Sequence, residues 1–267
     1  MTSDVPLSQA LSYARDLKSA YELARAREQQ LVEANDRLRK GYEQSLQYAA
    51  DLKRTYRHLQ RAIFQSLLGL ANALEAKDAY TSGHSSRVAR LSKDLALAAG
   101  LSRSDAETVA QSGLLHDLGK IGVPEAVLNK PGALTPDEWL VMRRHPIVSA
   151  QIVAPLEFFE QGAIILRHHH ERWDGSGYPD GLRGDAIPLG ARIVAIADVY
   201  DALTSDRPYR QRLSHAEAVH HLREEGGHTL DRRLIEMFLD LFGGVGAALA
   251  GLTARTEDAD AAADRTV

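Results

Sequence analysis

The 267 residues comprise 44% hydrophobic and 25% charged side chains with a formal net charge of −4, ordinary for a globular chain and without the basic excess that marks a nucleic-acid-binding face. The absence of cysteine excludes disulfides, zinc–thiolate sites and thiol catalysis, so any metal has to be held by imidazole and carboxylate, donors that suit iron, manganese or nickel as well as zinc. No apolar run approaches the roughly 18–20 residues that span a bilayer, and Met1 to Pro6 lacks the apolar core of a signal peptide, so the cytoplasm is the expected location.

Residues 7–70 carry a 3-4 alternation through Leu7, Ala10, Ala14, Leu17, Tyr21, Ala24, Glu28, Leu31, Asn35, Leu38, Tyr42, Ser45, Ala49, Leu52, Tyr56, Leu59, Ile63, Ser66 and Leu70. A spacing averaging 3.5 residues keeps one stripe on a partner helix. The unbroken pattern implies a helix roughly 95 Å long, and a parallel homodimeric coiled coil is the expected way to bury its stripe. The competing arrangement folds the helix back on its own globular domain. Glu28 and Asn35 at a-type positions, with Ala and Ser at several d positions, make the seam weak; a buried Asn can fix register at a cost in stability.

From Ala71 to Phe242 the pattern is helical almost throughout. Ser102 or Ser104 caps a helix carrying Ala106, Val109, Ala110, Leu114 and Leu115, and Gly119, Gly122 and Pro124 are read as ending it. Thr135-Pro136-Asp137-Glu138 reads as a cap, a first-turn Pro and acidic early positions. Pro155 and the run Gly175, Gly177, Pro179, Gly181 and Gly184 mark loops, and Ala191–Leu203 is a strongly apolar helix. The predicted organisation is therefore all-α: residues 1–70 a coiled-coil helix, 71–242 a helical domain and 243–267 a frayed tail rich in Gly, Ala and Asp. No sensory domain is recognised ahead of the stripe.

Metal-type side chains are spread through the helical domain: His84, His116, Asp117, His145, His169, His170 and Asp198. Adjacent helical residues point about 100° apart. His116 and Asp117 can therefore share one ion near the end of the helix axis, or approach two ions with Asp117 between them. Asp198 lies in an apolar helix, where a buried carboxylate is costly unless paired, hydrogen-bonded or metal-bound. Asp201, one turn on, is the better candidate for a polar partner within the core. His168 is left open, and His58, His215, His220, His221 and His228 are read as non-ligands. Lys120, Arg207 and Arg210 could neutralise phosphate oxygens. The Gly-rich turn after His170 could bring main chain close to a ligand. Metal and cation chemistry together imply an anionic substrate and phosphoryl transfer.

His116-Asp117-Leu-Gly-Lys-Ile-Gly-Val-Pro, His169-His-Glu-Arg-Trp-Asp-Gly-Ser-Gly-Tyr-Pro179 and the block from Asp198 to Arg210 together resemble the HD-GYP family of metal-dependent HD phosphohydrolases, over roughly Leu70 to Leu241. The resemblance implies an all-α HD-type fold and hydrolysis of cyclic di-GMP to pGpG and/or GMP. It also implies seven metal ligands (His84, His116, Asp117, His145, His169, His170 and Asp198), with phosphate held by Lys120, Arg207 and Arg210. Tyr178 and its loop would receive the nucleotide or a partner protein. Some members place a Glu four residues before the first metal-binding His; Tyr80 stands there, so two divalent ions, iron or manganese, are expected. Bridged by Asp117, they would hold a shared water as hydroxide for in-line attack on phosphorus. The alternatives are a phosphodiesterase for another cyclic dinucleotide and a non-catalytic cyclic di-GMP receptor or interaction module.

Overall fold

A computed structural model describes residues 7–77, 83–206 and 211–242. Tyr80, Arg207, Arg210 and the 243–267 segment lie outside the described residues. The chain divides into two compact units, Met1–Ile63 and Phe64–Val267.

The first unit consists of most of α1, which runs from Leu7 to Lys77. It contains no proline after Pro6, and a Cβ added at Gly41 would meet nothing within 4 Å. The stripe residues stand open to solvent in the single chain; Leu7 is 77% and Leu52 71% exposed. Pairs such as Lys40–Asp36 and Arg54–Asp51 decorate the helix, each contributing at most about 0.5 kcal/mol. These pairs do little to offset the exposed leucines and tyrosines.

The second unit begins within α1, and there the seam changes. Phe64, Leu67 and Ala71 pack against Leu115, Leu118, Val153, Phe159 and Leu166, whereas Leu70, the last position of the heptad stripe, is 51% exposed. In this stretch the buried face lies one residue past the heptad frame.

The remaining helices are α2 (His84–Ala98), α3 (Arg103–Leu115), α4 (Glu125–Leu128), α5 (Pro136–Met142), α6 (His145–Val153), α7 (Glu160–His168), α8 (Leu189–Thr204) and α9 (His215–Glu225), followed by helical residues 232–242. No strand occurs among the described residues; there is one isolated bridge, Gly226 to Leu230. The fold is all-α.

Local chemistry sets the boundaries. Ser102 caps α3 by accepting from Asp105 N at 3.1 Å. Thr135 and Glu138 form a reciprocal capping box on α5, as do Ser214 and Glu217 on α9. Such caps contribute about 0.5–2 kcal/mol each. The α3 helix stops at Leu115, before the glycines read as its end, and the chain tightens into a 3-10 turn over Leu118–Gly122.

The larger core joins α2, α3, α8 and residues 232–242 through Val88, Leu95, Val109, Ile193, Ile196, Ile235 and Phe238. Every residue from Ala191 to Ala197 except Arg192 is buried. A helix buried almost all round belongs at the centre of a core. Gly190 permits this packing: a Cβ there would run into Ile165 and Val109.

Candidate metal centre

The metal-type residues sit at helix ends around α8. His84 opens α2 behind Gly83, whose φ of 73° is the left-handed conformation glycine tolerates. His116 and Asp117 follow α3, His145 follows α5 and opens α6, and His169 and His170 follow α7. Asp198 and Asp201 project from α8.

These side chains form two groups, His84–His116–Asp117 and His145–His169–His170, each with donor atoms within 4.8 Å of one another. Asp117 faces both. Its Oδ2 lies 3.3 Å from His116 Nε2 and its Oδ1 3.4 Å from His145 Nε2. Asp198 Oδ1 is 3.3 Å from His84 Nε2 and 3.9 Å from His116 Nε2. His145 and His169 bring their Nε2 atoms to 3.4 Å.

Three of the rings are oriented by the same device. The Nδ1–H of His116 donates to Gly113 O at 2.9 Å, that of His145 to Met142 O at 2.8 Å and that of His169 to Leu166 O at 2.7 Å. The carbonyls of a helix's last turn lack intrahelical partners. Here three of them take up a ring proton and fix the tautomer, leaving each Nε2 lone pair facing inward. His84 is oriented instead by Asp201: Nδ1 lies 2.7 Å from Asp201 Oδ2, and Arg87 grips the same carboxylate at 2.6 and 3.0 Å. Asp201 is thus a partner for His84, the role the sequence suggested.

His116 Nε2 supplies the fit test for a cation. It is sealed from solvent and has no hydrogen-bond partner among the described residues. A buried polar atom left this way is costly, and a metal ion among these donors would satisfy it.

The electrostatics agree. Burial pushes Asp117 and Asp198 up, yet His116 and Lys120 around Asp117, and His84 and His116 around Asp198, hold both well below the ordinary carboxylate range. Burial depresses His145, His169 and His170, the last to about 3, with neighbouring imidazoles adding to the effect. These three rings are therefore neutral near pH 7. Burial also lowers His84, but its hydrogen bonds to Asp198 and Asp201 outweigh this and raise it to about 10. One half of the centre offers neutral nitrogen donors and the other carboxylates held ionised, donor types that suit a cation.

Lys120 Nζ pairs with Asp117 Oδ2 at 2.7 Å, so this cation lies in the centre. Tyr178 stacks on His170 with centroids 5.0 Å apart, and Arg143 lies 4.8 Å over its ring. Ser149 of α6 ties down the His116–Gly119 turn, donating to His116 O at 2.9 Å and accepting from Gly119 N at 2.7 Å. Gly119 has to be glycine, because a Cβ would strike His145 O and Ser149.

The loop after His170 is held by residues whose roles the sequence did not reveal. The carboxylate of Glu171, 4% exposed, accepts from the backbone N–H of Asp180, Gly181 and Leu182 at 2.7, 3.1 and 3.1 Å. His168 turns away from the centre; its Nε2 lies 2.9 Å from Asp180, which also pairs with Arg167. The close approach anticipated for the glycine turn is real but internal: a Cβ on Gly177 would strike the backbone of Glu171 and Arg172. The signal for Glu171 was its place in the His-His-Glu run, a buried acid beside two imidazoles. A cleft of about 290 Å³ reaches this centre, lined by His169, His170 and Asp198 and by His221, Glu225 and Thr229 of α9 and the turn after it.

This helical fold, with histidines and an Asp converging from several helix ends, defines the class: the chain belongs to the HD domain family, whose profile matches residues 69–234. Among individual proteins, it is 44% identical over 177 residues to the cyclic di-GMP phosphodiesterase response regulator RpfG of Xanthomonas campestris pv. campestris, covering 66% of this chain and 47% of that protein. It is 35% identical over 199 residues to the 3'3'-cGAMP-specific phosphodiesterase 2 of Vibrio cholerae, covering 74% and 37%. A solved structure, Bd1817, a HDG"Y"P protein from Bdellovibrio bacteriovorus, aligns with a TM-score of 0.50 at 27% identity, covering 60% of this chain and 51% of that one. The HD-GYP resemblance read from the motifs is borne out. The chain spans less than half the length of these two curated relatives.

Proposed function

We propose that this chain is a metal-dependent phosphodiesterase that hydrolyses cyclic di-GMP to pGpG and/or GMP. The observation that carries this reading is the convergence of His84, His116, Asp117, His145, His169, His170 and Asp198, with His116 Nε2 left without a hydrogen-bond partner among the described residues. Two divalent ions, iron or manganese, fit the two donor groups that Asp117 faces. Bound there, they would supply Lewis-acid polarisation of a phosphoryl oxygen and a nucleophile at neutral pH.

The chain's own residues do the rest. Asp117 belongs to both halves and keeps them in register, while Lys120 steadies its charge and offers an ammonium group to a phosphoryl oxygen. Arg207 and Arg210 are assigned to the phosphates, whose two acceptor oxygens match a guanidinium fork. Tyr178, in contact with His170 and Arg143, is assigned to the nucleotide, and its loop is the surface assigned to a protein partner. The 3'3'-cGAMP-specific relative supports a second substrate, the mixed guanine–adenine dinucleotide.

The test is turnover by protein purified without oxygen and loaded separately with Fe(II) or Mn(II), with metal content measured in the same samples. Hydrolysis with two ions per chain is expected. Full metal loading without hydrolysis of any cyclic dinucleotide would sink the proposal.

Residues 1–70 are assigned to a parallel homodimeric coiled coil, supported by the exposed heptad stripe. No described helix is long and apolar enough to cross a membrane, which is compatible with the cytoplasmic location proposed. Sedimentation at micromolar concentration should give about twice the chain mass of 29.3 kDa. A single-chain mass would contradict this assignment.

A further inference from the structure

We infer that the cleft between the metal centre and α9 is a base pocket that selects guanine, with Glu225 reading the base edge. This rests on the cyclic-dinucleotide reading above and adds which base is recognised and by which side chain.

The cleft places His169, His170 and Asp198 in the same cavity as His221 and Glu225. A ligand with phosphate at the metal-type residues therefore has its base within reach of α9. Ala195, Val199 and Leu230 supply apolar wall for a flat ring. The polar groups are held in place. The Glu225 carboxylate accepts from the Thr229 hydroxyl, which orients it. The backbone N–H groups of His228, Thr229 and Leu230 all donate to the Glu225 carbonyl at 3.1–3.2 Å, closing the turn. That turn is clamped to the loop that follows the two histidines, with Trp173 N donating to Thr229 O at 2.9 Å and Asp174 N to His228 O at 2.8 Å. The base wall and the metal-type residues are thus parts of one hydrogen-bonded assembly.

The chemistry of the carboxylate favours guanine. Guanine presents N1–H and N2–H side by side, two donors that match a carboxylate. Adenine places an acceptor at N1, which a carboxylate repels. Buried polar groups left unpaired by the wrong ligand are what make such sites selective.

GMP and AMP, which the proposed reaction does not consume, are the probes, titrated calorimetrically into the full-length metal-loaded protein. Wild type should bind GMP at least about tenfold tighter than AMP. Glu225→Gln should bring that ratio close to one by weakening GMP. Equal wild-type affinities for the two nucleotides, or an unchanged ratio in folded Glu225→Gln protein, would overturn the inference. A guanine preference in protein that hydrolyses no cyclic dinucleotide would remove the hydrolase reading and leave this pocket standing.

Discussion

Replacing Asp117 with Asn should lower cyclic di-GMP turnover by at least about 10³-fold, equivalent to roughly 4 kcal/mol of lost transition-state stabilisation, while leaving the helical content intact. Asparagine is nearly isosteric, so the packing around the His116–Gly119 turn survives. What changes is the charge at a point where one carboxylate stands 3.3 Å from His116, 3.4 Å from His145 and 2.7 Å from Lys120. An amide can present one oxygen to one half of the centre, but its NH2 group then turns towards the other half or towards Lys120. The variant should accordingly hold fewer metal ions per chain. Initial rates and elemental analysis of the same samples check both halves of the expectation. Wild-type turnover at matched metal content would refute the role given to Asp117.

The second large effect is on stability. Glu171→Ala removes the acceptor for three backbone N–H groups, those of Asp180, Gly181 and Leu182. Removing the shared acceptor leaves part-buried N–H donors without their partner, a loss of about 1–3 kcal/mol. For a unit of this size that lowers the melting temperature by roughly 5 °C. The loop carrying Tyr178 loses its anchor in the same step, so KM for cyclic di-GMP should rise as well. Glu171→Gln keeps the side chain's length and one acceptor oxygen and should lose less than half as much stability. Thermal denaturation followed by circular dichroism separates the two variants, and a melting temperature within 2 °C of wild type for Glu171→Ala, against the shift expected above, would show that the loop is held by other contacts.

The fold class and the metal-type residues were legible because each rests on a short-range signal. The apolar period of residues 191–203 marks a buried helix, and α8 runs Leu189–Thr204. Adjacent pairs such as His116-Asp117 and His169-His170 stand out because few structural roles need two such donors side by side. The contacts that orient them left little trace in the sequence. His84 and Asp201 are 117 positions apart, and Ser149 reaches His116 across 33. Nothing in the local pattern links them. Glu171 and His168 lay beside recognised donors, yet both point to the loop at Asp180, a direction set by how the chain leaves α7. The α9 side of the cleft was missed for a related reason. Glu225 reads as an ordinary helix-end acid until α9 packs beside α8.

The donation of ring protons to helix-terminal carbonyls has a consequence for how the centre is made. The rotamer and tautomer of His116, His145 and His169 are set by the ends of α3, α5 and α7, which belong to the folded core and form with it. The centre is in this sense a socket moulded by the scaffold rather than a clasp that closes around its occupant. An ion taken up by such a socket would meet donors already aimed at it.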